Sequence, residues 1–363
     1  MSRPVALPRW ADVALLPALN VLVAFLVAGL VVLAIGEKPL EATAILLRGA
    51  LGSAEGWGFT LYYTTNFIFS GLAVAVAFHA GLFNIGGEGQ AMLGGVGAAL
   101  VALALGHLPG IVALPLAVLA SALLGALWAA VPGWLQARRG SHVVITTIMF
   151  NFIASALLVY LLVDVFRPPG SMEPSSRVFA AGGKLPFVHD LLNALGAAMP
   201  KTPLNLSFVL ALATAIGVWL LIERSRLGYA IRTVGANPTA ARYGGISPER
   251  ITIIAMAISG GLAGMMATNE ILGVQHRLIN DFTGGYGFVG IAVALMGRGH
   301  PLGILLAALL FGVLYQGGTE LAFDKPSITR DMIVVIQGLV ILFAGALEFM
   351  FRPALARLLG GRG

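Results

Sequence analysis

The sequence has no cysteine in 363 residues, few charges for its length, and six histidines that show no ligand spacing. The first absence excludes disulfides, thiolate metal sites and cysteine nucleophiles, and leaves the redox compartment unreadable. The motifs of soluble catalysis are missing as well: there is no His-Glu-x-x-His pair and no Gly-x-Ser-x-Gly elbow. Each histidine therefore reads as a surface or interfacial residue, and a membrane-embedded enzyme is disfavoured because no nucleophile, metal set or acid/base pair emerges. No Gly-x-x-x-x-Gly-Lys-Ser/Thr phosphate loop exists either, since Gly182-Gly183-Lys184 is followed by Leu185. If ATP is used, another chain must hydrolyse it.

What is present is apolar. Hydrophobic residues make up 58% of the chain and charged ones 10%, with a mean hydropathy of +0.91. A water-soluble core cannot hide that much apolar surface, so lipid is the solvent for most of it. Each crossing needs about 20 apolar residues, and such runs fall near residues 13–35, 60–79, 86–105, 110–135, 142–163, 207–222, 251–271, 286–296, 301–318 and 332–351. The fold class that follows is all-α, a polytopic transmembrane bundle of about ten spans in one membrane domain over residues 1–363. Residues 1–58 supply an N-terminal span and an outer segment. The first run is too long for a signal-peptide core, so it reads as a retained span. A net charge of +6 would suggest nucleic acid in a soluble protein. In a membrane protein, basic residues instead collect on the cytoplasmic side, so no nucleic-acid partner is expected.

Two long hydrophilic stretches set the sidedness. Residues 224–250 carry five arginines against Glu249, whereas 166–206 is rich in Pro, Gly and Ser with nearly balanced charge. The positive-inside rule places the first in the cytoplasm, the second outside and both termini inside. In the outer loop, Phe187, Val188, Leu191, Leu192 and Leu195 recur at helical spacing, as a surface-lying amphipathic helix or a packed loop helix would. The halves echo one another: Ser70-Gly71-Leu72-Ala73 resembles Ser259-Gly260-Gly261-Leu262-Ala263, and the helix entered at Pro109 resembles that entered at Pro301. Five spans per copy would make a 5+5 inverted repeat; chance similarity among Gly/Ala/Leu-rich helices is the rival.

Two stretches break the apolar pattern at matching places: Gly81-Leu82-Phe83-Asn84-Ile85-Gly86-Gly87-Glu88-Gly89-Gln90, and Asp281 through Gly284-Gly285-Tyr286-Gly287 into a run too short to span. Irregular backbone at membrane depth survives only where protein or a water-filled cavity satisfies its polar groups, so paired breaks point to a translocation pathway. Asn84, Glu88 and Gln90 add hydrogen-bonding groups that suit a hydroxylated, nitrogen-rich solute. The plainer alternatives are a carboxylate in a cytoplasmic turn for Glu88 and a helix cap for Asn84. Thr147 and Asn151 share a helix face four residues apart, as pathway groups or as interhelical hydrogen bonds. An ion-coupled transporter would need acidic groups buried at mid-membrane, and Glu88, Glu270 and Glu348 all lie near predicted span ends. Gly94-Gly95-Val96-Gly97 reads as close helix packing. The stretch from Arg226 to Ile246 combines a helical unit, a Gly/Asn/Pro turn and a second short helix, a compact loop suited to docking another subunit.

The segment Gly81–Gln90, the loop from Leu227 to Ile246, and Gly287-Phe288-Val289-Gly290-Ile291-Ala292-Val293-Ala294-Leu295-Met296-Gly297 with Pro301-Leu302-Gly303 closely resemble the branched family of bacterial ABC importer permeases. That family includes ribose and branched-chain amino-acid systems. The 81–90 motif resembles its nucleoside, or simple-sugar, branch, and the likeness runs from about Thr60 onward. The resemblance implies a bacterial inner-membrane complex of two permeases, two cytoplasmic ATPases and an extracytoplasmic substrate-binding lipoprotein. The permeases would be two paralogues, of which this is the longer, with a homodimer also open. ATP and Mg would be held by the partner ATPases, with no cofactor on this chain. Gly228, Arg232, Gly235, Asn237, Ala240 and Gly245 match the ATPase-coupling segment and inherit that role by resemblance. A nucleoside or nucleobase is the expected solute, with a simple sugar such as ribose as the alternative.

Overall fold

The structure, a computed structural model, describes residues 15–329 and 332–339 and the single positions 8, 11, 342 and 355. Among the described residues the helices are α1 (Leu16–Ala34), α2 (Pro39–Leu51), α3 (Ala54–His79), α4 (Gly87–Leu105), α5 (Gly110–Arg139), α6 (Val143–Tyr160), α7 (Val188–Ala194), α8 (Ser207–Trp219), α9 (Arg226–Ala236), α10 (Pro238–Tyr243), α11 (Pro248–Ala267), α12 (Tyr286–Met296) and α13 (Pro301–Asp324). Three of them run on as π-helical turns: α6 over Leu161–Phe166, α8 over Leu220–Arg224 and α11 over Thr268–Gln275. Counting these extensions, seven helices are long and apolar enough to cross a membrane, or eight if α1 and α2, bent by 117° at their break, form one span. In lipid the backbone must satisfy its polar groups within each segment, which is why apolar runs become helices.

Each predicted run coincides with a helix. The eighth is α12, only 11 residues long. The tenth is helical over 332–339 and at 342, and the rest of it lies outside the described residues, as do Glu348, Arg3, Arg9, Arg352, Arg357 and Arg362. Helix α2 was not expected in the outer segment of residues 1–58. Pro39 at its first position and Arg48 in its last turn suit the two ends of a helix.

The chain divides into two compact units, residues 1–56 with 313–363, and residues 57–312. In the first, Lys325 pairs with Glu37 at 3.2 Å and Glu41 at 3.0 Å, and Ser327 donates to Glu37, tying the α1–α2 bend to the chain after α13. In the second, α4, α5 and α11 pack almost backbone to backbone. A Cβ on Gly94 would lie 2.5 Å from Gly264 Cα, one on Gly125 2.3 Å from Gly260 O, and Ser121 Oγ donates to Gly264 O at 2.7 Å. Apolar side chains gain little by leaving lipid for each other, so small residues that admit close approach hold such helices together.

The 166–206 segment returns to the second unit through backbone bonds. Ser176 N donates to Leu278 O, Phe179 N to His276 O and Leu185 N to Leu272 O, at 2.8–2.9 Å. Its expected helix forms as α7, with His189 buried and Leu195 82% exposed.

Candidate functional site

Helix α3 ends in a turn at Gly81, whose φ of +73° suits a residue without Cβ. Residues 82–86 are then irregular until α4 begins. In the other half, residues 276–285 are irregular, with Gly284 and Gly285 at φ +50° and +78°, until α12 begins. The two breaks meet. Glu88 Oε1 accepts from Gly285 N and Oε2 from Gly287 N, both at 2.9 Å, and a Cβ on Gly87 would lie 3.3 Å from Gly287 O. A carboxylate in the first turn of α4 therefore caps the first turn of α12, where unpaired N–H groups and the helix dipole both favour an anion.

The depth of this junction follows from helix length. At its far end α12 gives way to Gly299, whose carbonyl lies 3.2 Å from His79 Nε2 at the end of α3. Eleven residues rise about 16 Å, roughly half of a hydrocarbon thickness of about 30 Å. Residues 82–86 thus enter from the end that carries the arginine-rich segment and 276–285 from the opposite end, and they join about half-way.

The other predicted pathway residues surround the same turn. Asn84 and Gln90 exchange reciprocal amide bonds of 2.9 and 3.0 Å, Asn84 Oδ1 accepts from Gly86 N, and Asn84 Nδ2 donates to Ser259 Oγ at 2.8 Å. Ser259 in turn donates to Ala73 O at 2.6 Å, so the two echoing Ser-Gly segments touch here. From α6, Asn151 spans the break: its Nδ2 donates to Ile85 O and its Oδ1 accepts from Gly89 N, each at 2.9 Å. Thr147 Oγ1 accepts from Ile85 N at 3.3 Å. Asn84, Glu88, Gln90, Thr147 and Asn151 are all at most 8% exposed. Their polar groups are taken up by one another and by backbone that has left the helix, which is the accounting that irregular backbone at this depth demands.

The segment expected to couple to an ATPase, from Arg226 to Ile246, lies at the arginine-rich end. Ser225 Oγ caps α9 by accepting from Gly228 N at 2.9 Å, and a Cβ on Gly228 would come within 2.0 Å of Leu221 O. Arg232 donates to Ile222 O and pairs with Glu223 at 3.1 Å, which folds α9 back on the end of α8. Asn237 Oδ1 caps α10 by accepting from Thr239 N and Ala240 N at 2.9 and 3.0 Å. Gly245 ends that turn at φ +77°. Ala240 is exposed, and Tyr243 stands 91% exposed at the tip. Gly235 touches the junction's own chain: a Cβ there would lie 2.2 Å from His79 O and 2.9 Å from Gly81 N. Backbone meets backbone where α3 turns into residues 82–86.

One polar group went unrecognised in the sequence. Glu270, at the end of the predicted seventh run, was expected near a span end. The π-helical extension carries α11 on to Gln275 and leaves Glu270 3% exposed, and Glu88 is 5% exposed. Both carboxylates are buried, Glu88 in the first turn of α4 and Glu270 within the lengthened α11. Glu270 Oε1 accepts from Tyr62 Oη at 2.7 Å and Asn66 Nδ2 at 2.6 Å, and its Oε2 from Tyr62 Oη at 2.8 Å. Asn269 Nδ2 donates to Asn66 Oδ1, and Asn269 Oδ1 accepts from Asn205 Nδ2 and Ser207 Oγ. The available signals were the Thr268-Asn269-Glu270 interruption and the Tyr62/Asn66 pair four residues apart in α3.

A family model described as the permease component of the branched-chain amino acid transport system matches residues 57–345. The chain belongs to this family. It is a membrane permease, a transport component rather than an enzyme, and the match includes both irregular segments and the coupling segment. The permease is 34% identical to the glucose ABC transporter permease TsgB13 of Haloferax volcanii, over 93% of this chain and 88% of that protein. It is 33% identical to the guanosine permease NupP of Bacillus subtilis (93% and 95% of the two chains), and 31% to the nucleoside permease NupB of Lactococcus lactis (94% and 93%). Each of these two bacteria also has a more distant relative that matches 70% of the permease. No solved structure matches it.

Proposed function

We infer that this permease is the longer membrane subunit of an ATP-binding-cassette importer for nucleosides in a bacterial inner membrane. The observation that carries the reading is the end-to-end likeness to NupB and NupP, each covered over more than nine-tenths of its length. Its partners are then two cytoplasmic ATPases that hold ATP and Mg, an extracytoplasmic binding lipoprotein and a second permease. The second, more distant permease in each of those two bacteria favours a paralogue in that last place. The arginine-rich end faces the cytoplasm, with Ala240 and Tyr243 presented to an ATPase. Movement of α9 passes through Gly235 to the His79–Gly81 turn and on to the junction of Asn84, Glu88, Gln90, Thr147 and Asn151, which borders the solute path. Differential binding of the partners to the inward and outward states supplies the coupling. The likeness to TsgB13 supports a sugar, glucose or ribose, as the second reading.

Reconstituting the whole complex in liposomes separates these readings. Uptake of guanosine or another nucleoside that requires ATP and the binding lipoprotein is expected. ATP-driven uptake of glucose or ribose with no nucleoside uptake replaces the solute, and uptake driven by an ion gradient through this chain alone overturns the importer.

A further inference from the structure

The Glu270 cluster has no part in the reading above, yet its placement is demanding. Burying a carboxylate is costly unless a cation or a full set of donors compensates it. Among the described residues two side chains donate to Glu270, and no ion pair includes it. Two apolar side chains of similar volume would hold α3 against α11 at lower cost, so the polar set suits a contact that is remade, not merely kept. It also sits on a π-helical turn, a departure from the α-helix found mostly at functional sites.

Three parts of the chain converge there: α3 through Tyr62 and Asn66, the α11 extension through Asn269 and Glu270, and the entry to α8 through Asn205 and Ser207. The 166–206 segment is bonded to the same extension, by Leu185 N to Leu272 O, and a Cβ on Gly273 would lie 2.2 Å from the Asn205 amide. One end of each of the two helices lies at the coupling segment. α3 ends at His79, against Gly235, and α11 starts at Pro248, capped by Ser247, shortly after α10 ends at Tyr243. A displacement of α9 and α10 therefore reaches Glu270 along two helices, and a displacement of the 166–206 segment reaches it directly.

We propose that Glu270, through Tyr62 and Asn66, is a positioning residue of the transport cycle that latches α3, near its middle, to the extension of α11, remote from the coupling segment. The latch changes partners when the 166–206 segment is engaged by the delivering protein. This rests on the importer reading, and the test uses a readout that needs no solute.

In the reconstituted complex, Leu195→Cys places a single thiol on the exposed part of the 166–206 segment of a chain with no other cysteine. Its reaction rate with a membrane-impermeant maleimide is measured with and without vanadate-trapped ATP, beside ATP hydrolysis with and without the loaded binding protein. On the latch-intact background the rate is expected to change by about fivefold or more, the lower edge of ordinary coupling. With Glu270→Gln, that change and the stimulation of hydrolysis by the binding protein are both lost, while basal hydrolysis per assembled complex is kept. Tyr62→Phe, which removes the hydroxyl donor and little else, gives the same pattern more weakly. The proposal is overturned if both variants retain the labelling change and the stimulation. It is equally overturned if they lower only the amount of assembled complex, or if trapped ATP never alters labelling on the latch-intact background. A wrong solute class removes the stimulation in the latch-intact complex as well, but leaves the labelling readout, which needs no solute, unchanged.

Discussion

Helix α3 is held in opposite ways at its C-terminal end and nearer its middle. At the arginine-rich end Gly235 meets His79 and Gly81 backbone to backbone, with no room for a Cβ. Nearer its middle Tyr62 and Asn66 meet Glu270 and Asn269 mainly through side chains, with one bond from Asn269 Nδ2 to the Tyr62 carbonyl at 3.2 Å. A backbone contact has no rotamers to exchange and passes on a push without slack. A side-chain cluster can trade hydrogen bonds and settle in a second arrangement. One contact on α3 is rigid and the other adjustable.

The strongest way to break the comparison is Gly235→Val. Overpacking costs about 1–3 kcal/mol, equivalent to about 5–150-fold in a coupled equilibrium. ATP-driven uptake should fall by that factor in assembled complex, and uptake equal to the parent removes Gly235 from the coupling line. Next is Glu88→Gln, which leaves one acceptor for two glycine N–H groups. Hydrogen bonds to a charged group contribute about 1.5–3 kcal/mol, so uptake and melting temperature should both drop, whereas a silent variant would mean that the cap on α12 is dispensable. Asn151→Ala strands Ile85 O and Gly89 N, about 1–3 kcal/mol of desolvation for each group. Thr147→Val, which loses the 3.3 Å bond from Ile85 N and a 3.1 Å donation to the Val144 carbonyl within its own helix, should cost clearly less. Thermal unfolding of the two variants side by side checks that order.

Acidity sharpens the contrast more gently. Burial, and then the nearby Lys184 charge, push the His276 imidazole below its usual range. The unfolded chain therefore binds more protons between that lowered value and about 6.5, and stability contributed here is full above pH 6.5 and declines as pH falls below it. Melting curves at pH 7.5 and 5.5 should converge in part for His276→Gln. The smallest effect is expected at Arg242, whose ion pair with Glu249 is exposed. Arg242→Ala should stay within about 0.5 kcal/mol in thermal unfolding.

Much of the fold was legible in the residues. Over their described residues the ten apolar runs lie on helices, because hydropathy and span length report a segment's own solvent. Both irregular segments were visible for the same reason, since Gly and polar residues interrupt those runs. Less legible was α2, whose mixed sequence sits below a span's apolar content. Also hidden was the depth of Glu270, because a π-helical extension moved the helix end beyond it. The stretch from Arg226 to Ile246 showed its two short helices and the turn between them, but not the contact of Gly235 with the end of α3.

Composition and hydropathy alone determined that this chain dissolves in lipid, which runs become helices, and where those helices break, because each is a local bargain between backbone and solvent. Only the tertiary structure decided that Glu88 closes on Gly285 and Gly287, some two hundred residues away in the chain, and that Glu270 finds Tyr62 and Asn66. Pairings between distant residues depend on how whole helices pack, and no local pattern in either partner encodes that choice.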